Sequence, residues 1–339
     1  MGRNSLSREK AGFFVIGCGS IGKRHIGNLL SAGAGKVSAH DVREDRRREV
    51  HEKFGIEVSG DLDAALSGNP EVVFVCSPTA FHREHALRAA RAGCHVFIEK
   101  PVSDSLGGLE ELAGELAKRG RISMVGCNFR FHPGLRQVKS LLDAGRIGRV
   151  ISFRSRFGHY LPDWHPWEDY RDTYSARREL GGGVLLDRIH EIDYAAWLFG
   201  KVEAVFAWTG HESRLETDTE DNAEIILRFR NGITGSVHLD YIRRRYASDL
   251  EVIGEEGIIR WSYPRSAVSW YEAGTGTWQC RGWPKDEANR MYLDEIEHFL
   301  SSLEKGEPAV NPVPEAMKVL GVALAARQSG GEGRIVHLP

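Results

Sequence analysis

Apolar and polar positions along this chain follow two different rhythms, and the change falls near residue 129. Before it, short and nearly continuous apolar runs at 13–17, 36–41, 72–78, 95–101 and 122–128 are separated by stretches with helical spacing at 25–33, 43–55, 82–93 and 107–120. Apolar runs without alternation are what strands covered on both faces look like. Strand and helix in turn predict a parallel sheet. Past residue 129 a helical stretch at 131–145 leads into longer runs with a two-residue period at 150–158, 202–210, 222–230, 233–243, 249–261 and 267–273. Turn signals such as Asn231-Gly232 divide them, and the alternation predicts a mainly antiparallel sheet with one open face. One helix is expected over 180–200, and two more over 290–306 and 314–329. No internal repeat or low-complexity tract interrupts this order.

At 339 residues the chain is long enough for two domains. Its composition, 41% apolar and 27% charged, is that of an ordinary globular protein, and a net charge of −2 gives no basic field for nucleic acid. No apolar run approaches the roughly 20 residues that span a bilayer, so no membrane partner is expected. The polar start at 1–11 lacks the apolar core of a secretory signal and reads as a disordered leader. The five cysteines, Cys18, Cys76, Cys94, Cys127 and Cys280, form no C-x-x-C pair. Reduced thiols in the cytoplasm, and no metal site, are the reading.

Candidate chemistry begins where the first apolar run ends. Gly17-Cys18-Gly19-Ser20-Ile21-Gly22 joins that strand to a helix. Strand, glycine turn and helix in that order form a dinucleotide-binding fingerprint: the glycines allow a tight turn and close backbone approach, and the helix start offers N–H groups to a pyrophosphate. Asp41 ends the second run, roughly 20 residues beyond Gly22, where an acidic side chain accepts from ribose hydroxyls and favours NAD. Arg43 nearby leaves NADP as the alternative, since an arginine can receive a 2′-phosphate. Glu99-Lys100-Pro101 ends the fourth run, and ligands of open α/β sheets lie beyond the carboxyl ends of the strands. The expected fold class is therefore α/β: a Rossmann NAD(P)-binding domain over 12–128, then an α+β substrate-binding and oligomerisation domain over 129–339.

These motifs, together with His25, Cys76-Ser77-Pro78-Thr79-Ala80-Phe81-His82, Asn128-Phe129-Arg130, the run Gly181-Gly182-Gly183 through Asp187, His190 and Asp193, and the closing Gly333-Arg334-Ile335-Val336, resemble the Gfo/Idh/MocA oxidoreductases over nearly the whole length. The resemblance implies an N-terminal Rossmann domain, a C-terminal domain with an open-faced sheet, and hydride transfer between NAD or NADP and a hydroxyl or keto carbon of a sugar, cyclitol or nucleotide-linked sugar. Biosynthesis of a modified sugar is one setting for such a reaction. It also implies that Lys100, Asp187 and His190 line the reaction site, and that Ser20, Ile21, Ser77, Pro78, Thr79, His82, Glu99 and Asn128 join the glycines, Asp41 and Arg43 around the cofactor. This chain places two residues, Arg188 and Ile189, between the aspartate and the histidine where many relatives have three. On one continuous helix both spacings keep the pair on one face, and Asp193 becomes a rival partner for His190.

In an alcohol oxidation, His190 is suited to accept the hydroxyl proton, and Lys100 to steady the developing oxyanion. By itself a lysine at a strand end is a solvated charge, and a histidine in an apolar helix is a core residue. His82 reads equally as a cofactor neighbour or as a helix start. Between 157 and 183 a long segment carries Trp164, Trp167, Tyr170 and Tyr174, whose flat faces suit sugar rings, with Arg154, Arg156, Arg171, Arg177 and Arg178 available to an anion. The competing reading packs the aromatics inward and pairs the arginines with Glu168, Asp169, Asp172 and Glu179. Substrate contacts are expected from Lys100, Arg130, Trp164, Trp167, Tyr174, Asp187 and His190. The open sheet face suggests a homodimer or homotetramer. Two other functions fit the same motifs: an NAD-dependent glycosidase-type hydrolase, and a non-catalytic dinucleotide sensor.

Overall fold

The structure is a computed structural model and describes residues 6–284 and 289–339. Two compact units form: the chain up to Asn128 together with Tyr292–Lys318, and Phe129–Met291 with Val319–Pro339.

The first unit is built on six parallel strands: β1 (Gly12–Ile16), β2 (Lys36–His40), β3 (Glu57–Ser59), β4 (Val72–Val75), β5 (His95–Glu99) and β6 (Ser123–Gly126). Their spatial order is β3-β2-β1-β4-β5-β6. β4 is buried at every position, which explains its uninterrupted apolar sequence. The connecting helices are α1 (Ser20–Ser31), α2 (Glu44–Phe54), α3 (Leu62–Ser67), α4 (His82–Arg91) and α5 (Leu109–Lys118). Strand order reverses between β1 and β4, and such a switch point opens a ligand crevice beyond the strand ends. The glycine turn leaves β1 there.

The second unit carries α6 (Pro133–Asp143), then β7 (Val150–Gly158), α7 (Val184–Asp187), α8 (His190–Phe199), β8 (Val202–Gly210), β9 (Asn222–Phe229), β10 (Thr234–Asp240), β11 (Ala247–Gly254), β12 (Gly257–Ser262), β13 (Ala267–Glu272) and β14 (Thr277–Gly282). Two helices follow, α9 (Arg290–Lys305) and α10 (Val313–Glu332), and a last strand β15 (Val336–His337). The nine strands lie in the order β14-β13-β12-β11-β7-β10-β9-β8-β15, and only β7 and β10 run parallel. One face is packed: Phe199 of α8 stacks on Phe153 at 4.5 Å, and the Tyr194 hydroxyl meets Ser155. The other face stays open, as the strict burial alternation of β9 shows.

Four expectations are corrected. The leader is held from Ser7 onward, because Arg8 bonds to both Glu297 and Glu304 of α9; residues 1–5 lie outside the described residues. A second domain running unbroken over 129–339 is interrupted by Tyr292–Lys318, which packs with the first unit: Phe299 meets Phe74 and Phe97 edge-on, and Asn311 bonds across to Val125. The run 249–261 is two strands folded back at Glu255-Glu256, not one. The helix over 180–200 is broken at Arg188-Ile189, where Arg188 leaves helical geometry at φ −102°, ψ 35°. The short strands β3, β14 and β15 and the helix α3 carry too few periodic positions to stand out in sequence. No described helix is long and apolar enough to cross a membrane.

Candidate active site

At the end of β1 the glycines divide the work. Gly17 sits at φ +101°, and a Cβ there would lie 2.6 Å from the Cys76 carbonyl oxygen. A Cβ on Gly22 would meet the Gly17 oxygen at 1.9 Å, so the helix packs on the turn only through glycine. Gly19 is different. Its Cβ would approach only the Arg46 guanidinium, at 3.8 Å, so nothing in the protein fills the space above it. Ser20 and Ile21 follow as the first turn of α1, which has no side-chain cap. Its leading N–H groups face that cradle, the donor set that suits a pyrophosphate.

Asp41 is buried at the end of β2 and accepts from Cys18 N and Arg43 N, both at 2.8 Å. The carboxylate therefore ties the glycine turn to the β2 end. Arg43 turns its guanidinium to Asp45, and Arg46, which the sequence did not single out, stands 3.8 Å from Asp41 Oδ2. Beyond β4, Ser77, Pro78 and Thr79 form a turn in which the Ser77 hydroxyl meets His85 Nδ1 at 2.9 Å. His82 is the first residue of α4, and its ring nitrogens lie 2.7 Å from the carbonyl oxygens of Pro101 and Ser77. Burial holds its pKa below the ordinary histidine value. Neutral, the ring can donate to only one of these carbonyls, so His82 ties α4 to either the Ser77 or the Pro101 loop.

Glu99 ends β5, buried, with Oε1 2.6 Å from His25 Nε2 and Oε2 3.2 Å from the Lys100 N–H. Burial works to raise its pKa, but the His25 bond and the Lys100 charge leave it below the usual carboxylate range. Lys100 is half-buried and precedes a cis peptide to Pro101. Asn128 is buried at the end of this unit, and its Oδ1 has no hydrogen-bond partner. An orphaned buried carbonyl and the open cradle at Gly19 are what a bound dinucleotide would complete, so the residues present fit NAD.

In the second unit Asp187 closes α7, buried, and accepts hydroxyl hydrogens from Tyr174, from Ser175 at 2.7 Å and from Tyr241 at 3.1 Å. His190 opens α8 and stacks on Phe129 at 4.8 Å. The break between the helices removes the shared-face argument for this pair. Asp193 holds Arg130 through two bonds of 2.6 and 2.8 Å. Arg130, expected at the substrate, is thus anchored to a side chain that is only 1% exposed. Arg188 lies flat on the Phe157 ring at 3.6 Å and pairs with Glu191. Burial opposes its charge, but Glu191 and Tyr246 keep it firmly protonated.

The long segment is ordered by four tight turns. Trp164 packs edge-on against Phe157 and Tyr241, while Trp167 is 76% exposed. Two of the five arginines take expected partners, Arg171 with Asp169 (and also Glu216) and Arg177 with Glu179, whereas Arg156 takes Asp249 and Arg178 bonds to the Asp218 carbonyl. Ser175 and Tyr241 are the site neighbours that sequence reasoning missed. Tyr241 had a usable signal, since it lies inside the run 233–243 and directly follows β10.

Residues 11–127 match the model of an oxidoreductase family with an NAD-binding Rossmann fold, and residues 135–260 match the GFO/IDH/MocA C-terminal domain. Myo-inositol 2-dehydrogenase of Thermotoga maritima is 32% identical over 96% of this chain and 97% of its own length. The chain belongs to the GFO/IDH/MocA oxidoreductases. Within that family, scyllo-inositol 2-dehydrogenase (NAD(+)) of Bacillus subtilis is 26% identical over 96% of this chain and 95% of that protein. Among solved structures, GenD2 from gentamicin A biosynthesis in complex with NAD is 26% identical, with a TM-score of 0.85 over 100% of this chain and 99% of that one. The first unit is the family's NAD-binding Rossmann domain.

Proposed function

We propose that this protein is an NAD-dependent dehydrogenase that oxidises a ring hydroxyl of a cyclitol or sugar. The observation that carries this reading is the full-length similarity to a myo-inositol 2-dehydrogenase, and we assign the reaction to Lys100, Asp187 and His190. NAD, when bound, supplies the acceptor for the hydride of the carbinol carbon. The chain supplies the rest. A ring nitrogen of His190 takes the hydroxyl proton, since imidazole titrates near neutral pH. The Lys100 ammonium donates to the oxygen as it becomes an alkoxide, where a fixed cation lowers the barrier most. Asp187 accepts a hydrogen bond and keeps that corner of the site anionic. Gly17, Gly19, Gly22, Ser20 and Ile21 hold the pyrophosphate, and Asp41 serves the ribose from the end of β2. The protein works as a homo-oligomer, and its unpaired cysteines, Cys18, Cys76, Cys94 and Cys127 buried and Cys280 exposed, suit the cytoplasm.

The test is the appearance of NADH on mixing protein with NAD and myo-inositol, scyllo-inositol, free sugars, sugar acids or nucleotide sugars, with NADP run in parallel. Turnover with a cyclitol or free sugar is the expected result. Bound NAD with no reduction by any polyol would overturn the reading in favour of a hydrolytic or sensing role.

A further inference from the structure

We infer that Tyr174 and Ser175 are positioning residues: through their hydroxyls, the long segment before the triple glycine sets the orientation of the Asp187 carboxylate. The inference rests on the dehydrogenase reading and says how one of its reacting groups is held.

Three hydroxyls converge on one buried carboxylate. Tyr174 donates to Oδ1, while Ser175 and Tyr241 donate to Oδ2 at 2.7 and 3.1 Å. A carboxylate offers about two acceptor directions per oxygen. Ser175 and Tyr241 thus share Oδ2 while Tyr174 engages Oδ1, so both carboxylate oxygens are tied to named hydroxyls. The orientation of the reacting oxygen is fixed by a segment a dozen residues upstream in sequence.

The backbone locks that segment in place. Gly183 N donates to the Ser175 carbonyl and Gly182 N to the Arg177 carbonyl, both at 3.0 Å. A Cβ on Gly182 would lie 2.2 Å from the Tyr174 oxygen, so the turn at Tyr174 lies directly against the triple glycine. On the far side Thr219 donates to the Ser175 carbonyl at 3.4 Å, and Val184 N, which opens α7, donates to the Glu220 carbonyl at 3.0 Å. The Tyr174–Ala176 turn, the glycines and the helix carrying Asp187 thus form one hydrogen-bonded assembly. The Tyr174 hydroxyl is thus committed to Asp187.

Such an arrangement makes Asp187 a fixed acceptor and not a proton carrier. Turning the carboxylate would break bonds to three donors at once, and hydrogen bonds to a charged group are the strong ones. A substrate group that meets this carboxylate must be a donor, such as a hydroxyl neighbouring the reacting carbon.

The experiment is a double-mutant cycle on the full chain with the polyol that the activity screen identifies. Tyr174→Phe and Ser175→Ala are made alone and in an Asp187→Asn background, and kcat, KM, NAD affinity and Tm are measured for each. Tyr174→Phe is expected to lower kcat about tenfold, the loss of one charge-assisted hydrogen bond, with NAD affinity unchanged. In the Asp187→Asn background the same change should cost nothing further in kcat. Ser175→Ala should behave alike, with coupling also visible in Tm. Losses that multiply independently of Asp187, or a Tyr174→Phe enzyme whose Tm falls while kcat stays at the wild-type value, would overturn the inference. A wild type that binds NAD but oxidises no polyol fails earlier, and overturns the dehydrogenase reading on which the positioning role depends.

Discussion

Residues that look alike in the sequence carry different duties here, and the three glycines of the fingerprint show it best. Gly22 has no room for a side chain because the Gly17 carbonyl is in the way. Gly19 has room, and its smallness serves whatever approaches from outside. Gly22→Ala should destabilise the protein by about 1–3 kcal/mol, the usual cost of forced overpacking. Gly19→Ala should leave the melting temperature nearly unchanged and weaken NAD binding about tenfold, or ~1.4 kcal/mol. Calorimetry of unfolding together with NAD titration separates the two, and equal effects of both substitutions on stability would remove the cradle argument. Lys100→Met is a second test at this scale. It should cut kcat about 10²–10³-fold, the range for losing a group that steadies an oxyanion, with NAD affinity kept; full turnover would dismiss the lysine from the reaction. Such residues were legible because the fingerprint fixes their place relative to a strand end. The partners of Asp187 were not, since Tyr174 and Ser175 reach it from an irregular segment with no periodicity to place it, and Tyr241 from 54 residues away.

Elements begin and end where side chains satisfy the backbone, and here several of those side chains titrate. His132 caps α6 by accepting from Gly134 N at 3.1 Å through Nδ1, and His95 at the start of β5 accepts from Ile122 N at 3.0 Å. An accepting imidazole nitrogen must be unprotonated. Burial pushes both pKa values down to about 4. Above about pH 6.5, the ordinary histidine value, these groups are neutral folded and unfolded, and stability does not depend on them. Below it the unfolded chain binds protons that the folded chain refuses, so stability falls steadily until about pH 4. The melting temperature should therefore drop between pH 6.5 and 4. His132→Asn, which keeps an acceptor at the cap without a titrating group, should flatten that drop; an unchanged slope would place the acid sensitivity elsewhere. Sequence periodicity located most elements because their burial is regular. It failed where a cap or break is decided by tertiary partners, as at Arg188, whose guanidinium is drawn onto Phe157 and Glu191 and interrupts what reads as one helix.

At the largest scale, the nine-stranded sheet keeps one face without a covering layer among the described residues. The pairing register puts Trp208, Glu224, His238, Arg156 and Asp249 in one row across β8, β9, β10, β7 and β11. The next row runs Phe206, Ile226, Ser236, Arg154, Glu251 and Arg260. Each row starts apolar and continues with acidic and basic side chains, several paired within the sheet, as Arg156 with Asp249 and Arg260 with Glu251. Trp208 is 70% exposed and Ile226 45%, an unusual use of large apolar side chains on an outward face. Rows of this kind are self-complementary. Turned about a two-fold axis, one copy sets its acids opposite the other's arginines while the apolar ends are covered, the isologous contact of a symmetric dimer. A stable pairing needs about 800 Å² from each partner, and a sheet this wide offers an area of that order. Light scattering should therefore give a multiple of the monomer mass at micromolar concentration, two or four copies. Trp208→Glu combined with Ile226→Lys should shift the mass to a single copy while NAD affinity stays within about twofold, because the cradle at Gly19 is built entirely by the first unit. A wild type that scatters as one copy would refute the assembly, and a double variant that keeps the wild-type mass would move the contact to another face.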